Sequence, residues 1–260
     1  MYPDFSNNGG AIRTLLMSLY LAKVQFKLKN EGSLLGIFWY LLNPVLIFLL
    51  LYLIFYDRVG HQIPYYGLYL FLGLIIFNFF QKTTLESLKA IPANKAIIKT
   101  ISFPQESVIL AVLFKTLFSH LFEILILVVL FVFYDVSLIR FFIFYPITLI
   151  FLSVFSYGVS LVLSSMQVYF SDLDNIWDFI SRLVWFATPI FYSIGGQNRL
   201  HIANIINPMY YYISIPRDIV IYSKIPGYFM IAGAVFFSVA SLLIGIVIFN
   251  RLKYKFAEFI

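Results

Sequence analysis

Six apolar stretches separated by polar and charged segments organise the chain, at about 36–56, 63–80, 108–134, 141–170, 176–194 and 228–250. Each approaches the roughly 20 residues that a helix needs to cross a hydrocarbon core of about 30 Å. The second is the shortest, trimmed by Pro64 and flanked by Tyr65 and Tyr66, whose rings suit the headgroup zone. Ahead of the spans, residues 11–30 read as an amphipathic helix. Leu15, Leu19, Ala22 and Phe26 share one side, with Lys23 and Lys27 on a neighbouring strip, so the helix is expected at the membrane interface. Leu21, Val24 and Leu28 fall off that stripe and fit a helix packed partly on protein equally well. The polar leader before it lacks the basic-then-apolar order of a cleavable signal and is expected to stay. The predicted fold over 1–260 is thus one all-α integral membrane domain of six transmembrane helices. An N-terminal interfacial helix precedes them, and short re-entrant helices lie between the fifth and sixth spans.

Composition removes the soluble alternative. The chain is 62% hydrophobic and 12% charged, against roughly 45–50% and 25% in soluble domains. A net charge of +6 needs no nucleic acid to explain it, because basic residues gather in cytoplasmic loops. With both termini inside, the inner segments hold Arg13, Lys23, Lys27, Lys29, Lys82, Lys89, Lys95, Lys99, Arg251, Lys253 and Lys255. The outer segments keep Arg58, Arg140, Arg199, Arg217 and Lys224, which is the asymmetry a plasma-membrane protein of this orientation shows. The absence of cysteine excludes disulfides and thiolate sites, and His61, His120 and His201 have no ligand spacing. No catalytic metal or cofactor is expected.

Two connections are long. The inner loop 81–106 carries a short apolar pattern at Leu85, Leu88 and Ile91, rimmed by Lys82, Glu86, Lys89 and Glu106, and reads as a docking surface for a cytoplasmic partner. The outer segment 195–227 is cut by Pro208, Pro216 and Pro226 into apolar runs too short to span.

The chain has no G-x-x-x-x-G-K-[ST] and no G-x-G-x-x-G, so ATP hydrolysis would have to occur elsewhere. Asp172-Leu173-Asp174 has the D-x-D form of glycosyltransferases, yet the connection around it is too short for a nucleotide fold. Capping of the fifth span by Asp172 or Asp174 explains the pair more simply. On that span Asp178, Ser181, Arg182, Trp185, Thr188, Pro189 and Tyr192 fall within one arc, with Asp178 and Arg182 an i,i+4 ion pair. The stripe is either a helix seam or the wall of a pathway, and the bulk of Trp185 and Tyr192 favours the pathway. Trp39, Tyr40 and Asn43 repeat the pattern on the first span, where core packing is an equal reading. On the third span Lys115, His120 and Glu123 share a side and read as a polar membrane clamp, with His120 the partner Glu123 needs.

Gly36 after Leu35, Trp39, Asn43-Pro44, Phe103-Pro104, Tyr169-Phe170-Ser171-Asp172-Leu173, Thr188-Pro189-Ile190-Phe191-Tyr192, Asn207-Pro208 and Arg217 follow one another in order. Together this series resembles the membrane subunit of ABC-type polysaccharide exporters, which move lipid-linked O-antigens, capsules or teichoic acids. The family commonly has Arg where this chain has Ser171. The resemblance implies a homodimer with two copies of a separate ATPase, which holds ATP and Mg, and a channel at the dimer centre. It further implies that 81–106 and the N-terminal helix face the ATPase, and that the segment after Tyr192 gates the outer mouth. Membrane lipids and the lipid-linked polysaccharide are the other partners. A secondary transporter or flippase, or a membrane glycosyltransferase, stands as the alternative; Glu123 is the one carboxylate near the midplane that ion coupling could use.

Overall fold

A computed structural model describes residues 10–31, 36, 38–100, 104–195 and 198–259, and those residues form helices, turns and no strand. The landmarks Leu35 and Phe103 lie outside the described residues, as do the leader up to Gly9 and the side chains of Lys29, Ile97, Arg199 and His201. The chain runs through α1 (Gly10–Asn30), α2 (Phe38–Phe55), α3 (Tyr66–Leu88), the short α4 (Ala90–Ala93) and α5 (Lys95–Thr100), and α6 (Glu106–Phe133). It continues through α7 (Leu138–Gln167), α8 (Leu173–Ala187), α9 (Asn198–Ile206), α10 (Pro208–Pro216), α11 (Tyr228–Leu252) and a last turn, α12 (Phe256–Phe259).

Among the described residues five helices are long and apolar enough to cross a membrane: α2, α3, α6, α7 and α11. The helix expected over 176–194 is shorter than that apolar run. It is α8, which has 15 residues and stops at Ala187. Pro189 has no N–H and disfavours helical backbone at the residue before it. Thr188 accordingly turns extended, and the helix is only about 22 Å long.

α3 is the core of the bundle. It is apolar on every side, which is the signature of a helix enclosed by others, and 78% of its apolar window is buried against 11% for α2. Phe48 of α2 packs edge-on to Phe71 (5.3 Å), and Phe80 of α3 stacks on Phe155 of α7 (5.4 Å). α7 and α11 form the tightest seam. A Cβ on Gly158 would run into the backbone of Ser241 and Leu242, and one on Gly245 would meet the Gly158 carbonyl, the close approach that small residues permit between membrane helices. The Ser238 and Ser241 hydroxyls donate to the Phe151 and Phe155 carbonyls, so the two helices run parallel.

The inner connection 81–106 is corrected in a second respect. Residues 81–88 continue α3, and Leu88 and Ile91 are fully buried. Ile91, Ile98 and Ile109 close a small apolar core with Leu161, Phe249 and Phe256. This end of the bundle is further tied by Lys253 Nζ to Glu106 at 2.7 Å and by the Tyr169 hydroxyl to the Leu252 carbonyl at 3.2 Å.

α1 lies along the first half of α6. Ser18 and Ala22 are buried, and Phe26 meets Phe118 edge-on at 4.8 Å, while Leu15 and Leu19 stay exposed. The expected apolar stripe is therefore divided between protein and surroundings.

Candidate functional site

At one end of the bundle, the break after α8 leaves peptide carbonyls without helical partners, and such groups must find donors. Arg217 supplies two of them. It begins a π-helical turn over 217–221 and sits fully inside the protein. Its Nη1 donates to the Pro189 carbonyl at 2.6 Å and its Nη2 to the Ile190 carbonyl at 2.8 Å. Nε and Nη2 also reach the Tyr69 carbonyl at 3.2 and 2.8 Å. The guanidinium carbon lies 3.4 Å from the Tyr69 ring centre, a cation–π contact. Burial pulls the Arg217 pKa down, opposed first by Tyr69, but a guanidinium stays charged in proteins.

Aromatic hydroxyls complete the set. Tyr69 donates to the carbonyls of Tyr192 (2.7 Å) and Pro189 (3.3 Å), and Tyr66 to that of Phe191 (3.0 Å). Asn207 caps α10 by accepting from the Met209 N–H at 3.1 Å, while its amide donates to the Thr188 hydroxyl at 2.8 Å. Gly73 is required here, since a Cβ would strike Arg217. The motifs Thr188-Pro189-Ile190-Phe191-Tyr192, Asn207-Pro208 and Arg217 are thus one spatial unit against α3. Sequence reading placed Arg217 in an outer loop and gave it no role, because its partners are backbone carbonyls, which carry no residue signal.

Beside this unit opens a cavity of about 430 Å³, bordered by Gln62, Tyr69, Tyr210, Asp218, Tyr222 and Lys224. Burial raises the Asp218 carboxyl above its usual range, against the pull of Lys224 and Arg217. Burial also pushes Tyr222 up to about 12, so its phenol is neutral at physiological pH.

A second polar cluster joins α3 to α6. Lys82 Nζ lies 2.7 Å from Glu123 Oε1, and His120 Nδ1 lies 2.7 Å from Glu123 Oε2. Protonated at Nδ1, His120 donates to Glu123 and receives the Tyr145 hydroxyl at Nε2, 2.6 Å away. One turn along α3, Glu86 meets Lys115 at 2.5 Å. Glu123 has the His120 partner expected of it and gains Lys82 from α3, while Lys115 pairs with Glu86. Lys82 and Glu86, expected at the rim of a docking loop, are instead spent on a balanced ladder of two cations and two anions. Of the remaining docking residues, Leu88 is buried, Leu85 is half-buried, and Lys89 is exposed beside Asp174 at 3.8 Å. A fully buried Leu88 cannot anchor a partner without unfolding this end of α3.

The stripe on α8 divides. Ser181 and Thr188 face the protein, with Ser181 receiving the Gln81 amide at 3.1 Å and nearby Trp177 donating to Thr84 at 3.0 Å. Asp178 and Arg182 form their ion pair on the outer surface, where Arg182 is 67% exposed. Trp185 packs on Phe191 at 5.4 Å, and the Tyr192 hydroxyl donates to the Ala187 carbonyl at 2.9 Å. On α2, Trp39 and Asn43 face outward, and Tyr40 is half-buried. It is sandwiched between Phe26 (5.5 Å) and Phe122 (5.9 Å), the packing that stood as the equal reading of this ring. Neither Asp172 nor Asp174 caps α8 with its side chain: Asp172 stands at the cap position without such a bond, and Asp174 accepts from the Asn175 N–H. Among the described residues no group of His, Asp and Glu could hold a metal ion.

The pattern of the ABC-2 type transporter family matches residues 18–221. Two proteins from Klebsiella pneumoniae, each named O-antigen export system permease protein RfbA, are 29% and 28% identical over 89% of this chain and 90% of their own length. A protein of the same name from Myxococcus xanthus is 25% identical over 95% of both chains.

Proposed function

The chain belongs to the ABC-2 type transporter family, and we propose that it is the membrane subunit of an ATP-driven exporter that carries a lipid-linked polysaccharide of O-antigen type out of the cytoplasm. The observation that carries this reading is the outward face of α8. Asp178, Arg182 and the adjoining aromatic rings stand on a helix that otherwise shows Phe179, Leu183 and Phe186 to its surroundings. An exposed ion pair facing hydrocarbon is costly. A second copy of the chain, facing this one across a wet channel, removes the cost and supplies a path.

The crossing count fits such a subunit. α8 runs antiparallel to α3, from Trp177 beside Thr84 to Pro189 beside Tyr69. With the extended residues after it, α8 makes the sixth passage, which the parallel α7 and α11 require. Both termini then lie on the cytoplasmic side of the inner membrane. α9 and α10 dip back toward the outer mouth.

ATP and Mg are held by a separate ATPase, two copies per dimer, docked at the end where α4, α5 and α1 meet. Leu21 of α1 packs on Ala90, Val108 and Val112, and Lys89, Lys95 and Lys99 are exposed along the stretch that holds α4 and α5. Charge at such a rim sets encounter and orientation.

Reconstitution tests the reading. Vesicles holding this chain and the candidate ATPase should translocate lipid-linked polysaccharide only with hydrolysable ATP, and the chain alone should not hydrolyse it. ATP-independent movement driven by a proton or sodium gradient would overturn it in favour of a secondary transporter.

A further inference from the structure

We propose that the 430 Å³ cavity beside Arg217 is a binding subsite for a neutral sugar unit, through which successive residues of the polymer pass at the outer mouth. The inference rests on the exporter reading and names a place that reading leaves blank.

The volume lies within the ~300–1,000 Å³ of small-molecule sites. Charge selects the class of ligand. Arg217 is committed to backbone carbonyls, and Lys224 stands opposite the single carboxylate, Asp218, whose ionisation it favours. The wall carries one net positive charge, that of Arg217, which four bonds to carbonyl oxygens and the Tyr69 ring already compensate, so it offers an anion no free cationic partner of the kind that buried charge demands.

What remains suits hydroxyls. Asp218 is half-buried and, among the described residues, its carboxylate accepts no hydrogen bond, so it is free to take two O–H donors. Tyr210 and Tyr222 border the cavity with neutral phenols, and Gln62 adds an amide with both donor and acceptor capacity. Tyrosine rings combine an apolar face with a polar tip at little conformational cost, which fits the C–H face and hydroxyl rim of a pyranose. Position adds weight. The cavity is bounded by the start of α3, the extended residues after α8 and the turn before α11, so any movement of the 188–195 break changes its shape.

The test is saturation-transfer NMR on the purified full-length chain in nanodiscs. The probes are cellobiose, maltose and diacetylchitobiose, with inorganic phosphate as an anionic competitor. Transfer from tyrosine ring protons to at least one disaccharide is expected, undisturbed by phosphate. Asp218→Asn should weaken it about tenfold, the loss of one hydrogen bond to a charged group. Tyr222→Leu, which keeps an apolar wall and removes the ring, should weaken it independently. No transfer to any disaccharide, equal transfer in wild type and both variants, or displacement by phosphate would each overturn the subsite. ATP-dependent export without disaccharide binding would leave the exporter reading standing and remove the subsite. Binding without such export would do the reverse.

Discussion

The guanidinium of Arg217 donates to the carbonyl of Pro189 at 2.6 Å, and that bond fastens the end of α8 to the turn that leads into the last span. Pro189 breaks the helix and so creates the acceptor; Arg217 is the donor that makes the break tolerable inside the protein.

Arg217→Ala should therefore impair folding rather than transport chemistry. A buried carbonyl left without a donor costs about 1–3 kcal/mol; the Ile190 carbonyl loses its donor outright, and the Pro189 carbonyl keeps only the longer bond from the Tyr69 hydroxyl at 3.3 Å. Arg217→Lys should recover little, because an ammonium cannot reproduce the planar fork that reaches the Tyr69, Pro189 and Ile190 carbonyls at once. Detergent thermal-stability profiles read the effect, and a Lys variant as stable as wild type would contradict the carbonyl-clamp account.

The ladder between α3 and α6 should behave as a coupled unit. Glu123→Gln replaces the carboxylate shared by Lys82 and His120 with a neutral amide, leaving the partly exposed Lys82 without its counter-ion at a cost of about 1–3 kcal/mol. Lys82→Met together with Glu123→Gln should be milder than the sum of the single changes. Additive losses in a double-mutant cycle would mean that the two groups do not act as a pair.

On the outward face of α8, Arg182→Ala and Trp185→Ala should lower export while dimer and expression stay intact, since Arg182 is mostly exposed and its ion pair is with Asp178 on the same helix. Ser181→Leu, on the buried side of the same helix, should instead fail at assembly. Loss of dimer by the first two variants would assign the face to the interface itself.

Topology can be read directly because the chain has no cysteine. Ser223→Cys should label from outside and Lys95→Cys from inside with an impermeant maleimide. The opposite pattern would invert the orientation and, with it, the side on which an ATPase docks.

Docking at the α4–α5 end predicts that Lys95→Glu together with Lys99→Glu slows association with the ATPase and uncouples hydrolysis from export. The effect should shrink at high salt, as steering by exposed charge does. Salt-independent binding would move the contact to an apolar surface.

What the sequence determined by itself is what repeats locally or depends on composition. Apolar run lengths place α2, α3, α6, α7 and α11 to within a few residues, apart from α3, which continues past its expected end at Phe80 to Leu88. The missing phosphate loop, the i,i+4 pair of Asp178 with Arg182 and the need of Glu123 for His120 are equally legible, because each lies within about one helical turn or one motif. Tertiary structure alone decided which distant groups meet. Lys82 reaches Glu123 across 41 positions and Arg217 reaches Tyr69 across 148. Polar residues along a helix do not say which neighbouring helix they face, so Lys82 and Glu86 read as a solvated rim until α6 is seen beside them. Arg217 was illegible for a deeper reason: its acceptors are peptide carbonyls, every residue has one, and the break at Pro189 frees two of them, those of Pro189 and Ile190, while the third is that of Tyr69 on α3.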